Sequence, residues 1–100
     1  MRGSIIRQMK LLYVEKLHND KKKYAAVFSN GKVVKFGASG YSDYTMHHDK
    51  ERRDNYLRRH AKDLSTEDPT RPGFLAYYIL WGPSTSLEAN VKNYKKMFGL

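Results

Sequence analysis

The sequence predicts an α+β domain: a three-stranded antiparallel β-meander over about residues 9–37, then about three α-helices over about residues 46–98, packed on one sheet face. Three observations lead there. The front of the chain holds three strand-like runs separated by polar turns, one of them Asn30-Gly31. From Met46 onward, apolar residues recur at helical spacing instead. A length of 100 residues with 40% hydrophobic content suits one modest core, so residues 1–100 are read as a single small basic domain.

The first strand is the partly alternating run Leu11–Leu17, and His18-Asn19-Asp20-Lys21 is a polar turn. Lys23–Ser29 follows with Tyr24, Ala26 and Phe28 on one face. Asn30-Gly31 then matches a type I′ hairpin turn, in which both central residues take positive φ. On the returning strand Val34 and Phe36 share a face. Gly37–Thr45 is a glycine- and serine-rich loop. It lacks the lysine and the Ser or Thr of a P-loop and the G-x-G-x-x-G spacing, so its glycines are read as backbone requirements at a strand exit. The phosphate-directed alternative uses the loop amides and the Ser39 hydroxyl.

Met46–Lys62 is expected as one helix, with Tyr56, Leu57, His60, Ala61 and Leu64 on its apolar face. Thr45 or Asp49 is positioned to cap it, and Asp49–Arg53 and Asp54–Arg58 stand at ion-pairing i,i+4 spacing. The prolines of Ser65–Gly73 predict an extended linker. Phe74–Trp81, apolar on every side and too short to span a bilayer, is expected as a buried helix stopped by Gly82-Pro83. Thr85-Ser86-Leu87-Glu88 fits a capping box led by Thr85. Leu87, Val91, Tyr94 and Phe98 line the final helix. Together with Phe74, Tyr77, Tyr78 and Trp81, the last two of these are the expected aromatic core.

Composition excludes several function classes. The chain has no cysteine, which removes disulfides, thiolate catalysis and cysteine-rich zinc sites. No run approaches the ~18–20 apolar residues of a membrane span, so no membrane partner is expected. Charges break up the segment Met1–Leu12, so no secretory h-region is expected and the anticipated location is intracellular. Met1-Arg2-Gly3-Ser4 is given no structural weight. No cofactor motif and no enzyme pattern is present. Asp43, His47, His48 and Asp49 are the residues a divalent-metal nuclease would use. Adjacent histidines diverge on a helix, however, and His48 and His60 stand about 18 Å apart along one, too far for a shared ion.

The basic balance is the strongest functional signal. Lys and Arg number 19 against 10 Asp and Glu, a formal charge of +9. Residues 1–40 carry nine Lys or Arg against Glu15 and Asp20, whereas residues 41–62 carry six against four acids. Lys21, Lys22, Lys23, Lys32 and Lys35 on the β-portion, with Tyr41, Arg52, Arg53, Arg58 and Arg59, form the expected nucleic-acid footprint. Arginine forks grip phosphate bidentately and lysines add point charge. The expected contact is not sequence-specific, since no zinc-finger, homeodomain or RNP pattern occurs. Tyr41, Tyr44 and Tyr56 are either stacking platforms for unpaired bases or packing anchors.

The run Lys32–Thr45, continuing through His47/His48-Asp49, Arg52-Arg53, Asn55-Tyr56 and Arg59-His60, resembles a family of small uncharacterised basic proteins of large double-stranded DNA viruses and some algae. Asp68-Pro69, Gly73 and Trp81-Gly82-Pro83-Ser84 extend the resemblance, which covers about residues 23–98 and is most distinctive from Phe36 to His60. Members often carry further tryptophans where this chain has Tyr77 and Tyr78. The resemblance implies a viral or viral-like origin and supplies no catalytic residue. The leading expectation is therefore a non-enzymatic virion-associated protein that binds nucleic acid. The alternative is a small structural capsid-associated or assembly protein whose charges meet acidic or viral structural partners, with an exposed apolar patch around the aromatic helix.

Overall fold

The structure, a computed structural model, describes residues 9–100, so the reading of Met1-Arg2-Gly3-Ser4 lies outside the described residues. Strands β1 (Leu11–Lys16), β2 (Lys22–Phe28) and β3 (Val33–Ala38) form one antiparallel sheet in the order β1-β2-β3. Helices α1 (Tyr44–His47), α2 (Lys50–His60), α3 (Pro72–Leu75) and α4 (Leu87–Phe98) follow, giving the α+β architecture that the patterning predicts.

Sheet register follows the alternation of side chains. Val14, Ala26 and Val34 are cross-strand partners, as are Lys16, Tyr24 and Phe36. The apolar members of these rows, with Leu11 and Phe28, supply the sheet's contribution to the core. Between Leu11 and Tyr13 the register slips at a bulge. The β2–β3 hairpin differs from the expected type I′ turn. Gly31 N–H donates to Phe28 O (3.0 Å) and Phe28 N–H to Lys32 O (2.9 Å), while only Gly31 takes positive φ, at +91°. This is a three-residue loop, a type I turn closed by a left-handed glycine, in which the asparagine needs no strained backbone.

Over the inner sheet face lie Leu75, Ile79, Leu80 and Trp81, with Tyr94 of α4 and Tyr44 of α1 completing the buried cluster. The Phe74–Trp81 segment is not one α-helix. After the α3 turn, Ala76–Leu80 widens to a π-turn, and Trp81 N–H reaches back to Ala76 O at 3.1 Å. Phe98 sits among Phe74, Tyr78 and Tyr94, with ring centroids 4.9–5.8 Å apart. The expected aromatic core is present, although Tyr77, Tyr78 and Phe98 are only partly buried.

Three local expectations are corrected. The Met46–Lys62 helix is broken: His48 adopts φ +59° and separates α1, capped by Asp43, from α2, capped by Asp49. Each acid accepts a backbone N–H at its own helix start, so two short helices are satisfied separately. Residues Ala61–Thr66 tighten into a 3₁₀ segment, which shortens the expected linker. Ser86 rather than Thr85 caps α4, its Oγ accepting from Ala89 N–H at 3.2 Å.

Candidate nucleic-acid interface

The turn between β1 and β2 and the glycine loop after β3 are tied together. Ser39 N–H donates to Lys21 O (2.9 Å) and its hydroxyl to Asp20 O (2.7 Å). Ser39 therefore serves the loop's own geometry instead of standing free for a phosphate. Gly40 turns the chain at φ +88°, and Tyr41 emerges 73% exposed. Its carbonyl accepts from Lys23 Nζ at 2.8 Å, so the backbone beneath the ring is held.

Lys23 also pairs with Asp43, whose side chain is 2% exposed. The other Asp43 oxygen accepts from Thr45 N–H at 2.9 Å. A buried carboxylate with a cation and a helix N-terminus around it has its charge balanced locally. This pair pins the end of the sheet to α1.

Helix α2 buries none of its residues and is anchored by side chains. Arg53 Nε donates to Trp81 O (3.0 Å) and Gly82 O (2.9 Å), at the end of the π-turn, and the guanidinium lies 5.6 Å from the Tyr44 ring. Tyr56 is sandwiched between Trp81 (centroids 4.1 Å, 4° between planes) and His60 (4.1 Å, 19°). Burial pushes the Tyr56 phenol up to about 12, so it remains a neutral donor. His60 Nδ1 lies 3.0 Å from Asp63 Oδ2 at the open end of this stack.

Between α2, the π-turn and the near end of the sheet runs an open groove of about 570 Å³. Lys22, Lys23, Tyr41, Arg52 and Arg59 line it, with the stack of Trp81, Tyr56 and His60 as its aromatic wall and Asp43 and Asp63 as its carboxylates. The volume is of the order that encloses a small organic ligand, roughly 300–1,000 Å³.

The ten candidate residues do not share one surface. Lys22, Lys23, Tyr41, Arg52 and Arg59 converge on the groove, and within it Lys23 is committed to Asp43. Arg53 turns inward to backbone carbonyls. Arg58 donates to Asn55 Oδ1 at 2.7 Å. Lys32 lies at the far end of the sheet, donating to Thr70 Oγ1 at 2.9 Å. Lys35 pairs with Asp20 at 2.8 Å on the outer face, and that bond holds the Asp20 carboxyl below its usual range. Lys21 stays exposed in the β1–β2 turn, outside the groove. Neither i,i+4 ion pair forms, because Asp49 caps α2 and Arg53 and Arg58 have the partners just given.

The residues considered for a metal serve local bonding. Asp49 N–H donates to His47 Nδ1 (2.9 Å), and His48 Nε2 lies 3.2 Å from Thr45 O. Among the described residues no three His, Asp or Glu side chains gather where an ion would be held. No described helix is long and apolar enough to cross a membrane. The three-ring stack and Asp63 escaped the sequence reading. Tyr56 and His60 are i,i+4 neighbours and His60 and Asp63 i,i+3, but their joining to Trp81 depends on tertiary packing.

Fold and site together define a small α+β domain carrying a cationic groove with an aromatic wall. Residues 12–60 match the model of a family of unknown function (DUF5754). The match runs from β1 to the end of α2 and stops short of Trp81 and α4, so it is narrower than the resemblance drawn over residues 23–98. No curated protein and no solved structure matches the chain.

Proposed function

We propose that this chain is a non-enzymatic, virion-associated protein that binds nucleic acid without sequence preference, gripping phosphates with the groove cations. The observation that carries this reading is the convergence of Lys22, Arg52 and Arg59 with the exposed ring of Tyr41 on one groove. Arginine and lysine side chains that displace counterions from phosphates gain affinity by releasing those ions. The formal charge of +9 adds long-range attraction to any polyanion. The virion setting rests on the resemblance of the Phe36–His60 segment to proteins of large DNA viruses.

Fluorescence anisotropy with a labelled oligonucleotide across about 50–300 mM salt tests it. Affinity is expected to fall steeply with salt, with the nucleic acid recovered intact in magnesium. The Arg52→Ala/Arg59→Ala double variant should flatten the log–log salt slope by about 1–2. Absence of binding at the lowest salt, or an unchanged slope in the double variant, rejects the reading.

One observation favours the structural alternative, a small capsid-associated or assembly protein. Tyr13 and Val33, each about half exposed, flank Val27 on the sheet face away from the core, with exposed Leu12 beside them. This cluster of exposed apolar residues lies on the sheet, whereas Phe74 and Trp81 of the aromatic segment are buried; Tyr41, Met46 and Met97 are exposed elsewhere. Sedimentation equilibrium of the chain and of Tyr13→Ser/Val33→Thr tests this alternative: self-association lost in the variant supports it, and a monomer at all concentrations counts against it.

A further inference from the structure

We infer that the groove receives single-stranded nucleic acid, an unpaired base stacking on Tyr41 or on the His60 end of the aromatic stack while neighbouring phosphates meet Arg52, Arg59 and Lys22. The inference rests on the nucleic-acid reading above and specifies its substrate. A groove made only for phosphates has no use for exposed ring faces. Here two of the rings that line it reach solvent. Tyr41 is 73% exposed above a backbone fixed by Lys23, and His60, partly exposed, ends a stack whose inner face is already occupied by Tyr56. A ring on a fixed backbone loses little freedom when a base lands on it, and every base has a face to offer.

A duplex keeps its bases stacked on one another, so it can present its backbone and base edges but no base face to such a groove. Size points the same way. A groove of about 570 Å³ has room for one or two nucleotide units but not for a double helix. Asp63, beside His60 in the same groove, suits this ligand better than a bare phosphate. A carboxylate repels phosphate but accepts hydrogen bonds from the exocyclic amines of bases.

The test compares three labelled probes by anisotropy at one salt concentration: a short mixed-sequence single strand, its duplex, and an abasic strand with the same number of phosphates. The single strand should bind tightest. Tyr41→Ala should weaken its binding by roughly 5- to 100-fold, while Tyr41→Phe retains it and affinity for the abasic strand is unchanged. Equal affinity for the abasic and normal strands, or unchanged single-strand binding in both Tyr41→Ala and His60→Ala, overturns the single-strand inference and leaves the phosphate-binding reading standing. Failure of all three probes to bind overturns the reading beneath it. Because Tyr41 is exposed and its carbonyl contact belongs to the backbone, the variant keeps its fold, which unchanged circular dichroism verifies.

Discussion

Gly37, the penultimate residue of β3, adopts φ +79°, and a Cβ placed there would stand 2.7 Å from Leu80 Cδ1. Both the left-handed backbone and the close approach of the π-turn therefore need glycine. Gly37→Ala is expected to lower unfolding free energy by about 1–3 kcal/mol, measured by urea titration. His47 makes a second prediction at this scale. Its Nδ1 accepts from the Asp49 amide, so in the neutral ring the proton sits on Nε2, a buried atom with no hydrogen-bond partner among the described residues. Burial, and then the charge of Arg52, push its pKa below the ordinary value of 6.5. A base with a lowered pKa binds fewer protons folded than unfolded, so its contribution to stability is intact above 6.5 and is lost as the pH falls through the folded value. Thermal melts between pH 7.5 and 5 should show wild type losing more Tm than His47→Asn, which keeps an acceptor for the Asp49 amide. Parallel losses in the two proteins would remove His47 as the cause.

Among the elements, α2 depends most on its ends and on single side chains. With no buried residue it gains little from apolar packing, and its fixed points are the Asp49 cap, Arg53 on the Trp81 and Gly82 carbonyls, and the Tyr56 stack. Asp49 Oδ1 accepts from Glu51 N–H (3.0 Å) and Arg52 N–H (3.2 Å). Asp49→Ala is expected to cost about 1 kcal/mol and to raise hydrogen exchange at the first turn of α2 before other elements respond. Arg52 stands in that turn, so the variant should also weaken groove binding although it removes a negative charge. The segment that follows the π-turn is held by Asn90, which is 1% exposed. Its Nδ2 donates to Ile79 O (2.8 Å) and Ser84 O (2.7 Å), and its Oδ1 accepts from Ser84 N–H (3.0 Å). Asn90→Ala leaves those groups without a partner and should destabilise by about 2–4 kcal/mol in the same urea assay.

Across the whole molecule, charge outweighs its internal compensation. Three ion pairs occur among the described residues, one of them a histidine pair, against a formal charge of +9. Like-charge repulsion opposes the compact state, and salt screens it over a length of about 10 Å at 0.1 M. Raising sodium chloride from about 20 to 200 mM should therefore raise Tm by a few degrees, followed by calorimetry, while the same change weakens nucleic-acid binding. These opposite responses separate the chain's own repulsion from the proposed attraction to nucleic acid.

The α+β class, the meander with its inward Ala26, Phe28, Val34 and Phe36, and the Tyr94 and Phe98 face of the last helix were legible in the sequence. Those features rest on local periodicity, and side chains alternate along a strand or recur around a helix wherever the chain is placed. The helix break at His48 and the type of hairpin turn were less legible, since two cap residues or two turn types suit the same few residues. The groove was decided by tertiary structure. Sequence spacing can list Lys21, Lys22, Lys23, Lys32, Lys35, Arg52, Arg53, Arg58 and Arg59 as cations, but each side chain's partner depends on what folds against it. Arg53 meets carbonyls 28 and 29 residues away, Lys32 meets a threonine 38 residues away, and Tyr56 stacks on Trp81. Contacts between residues distant in sequence are set by how the helical layer closes over the sheet, and local pattern holds no record of that closure.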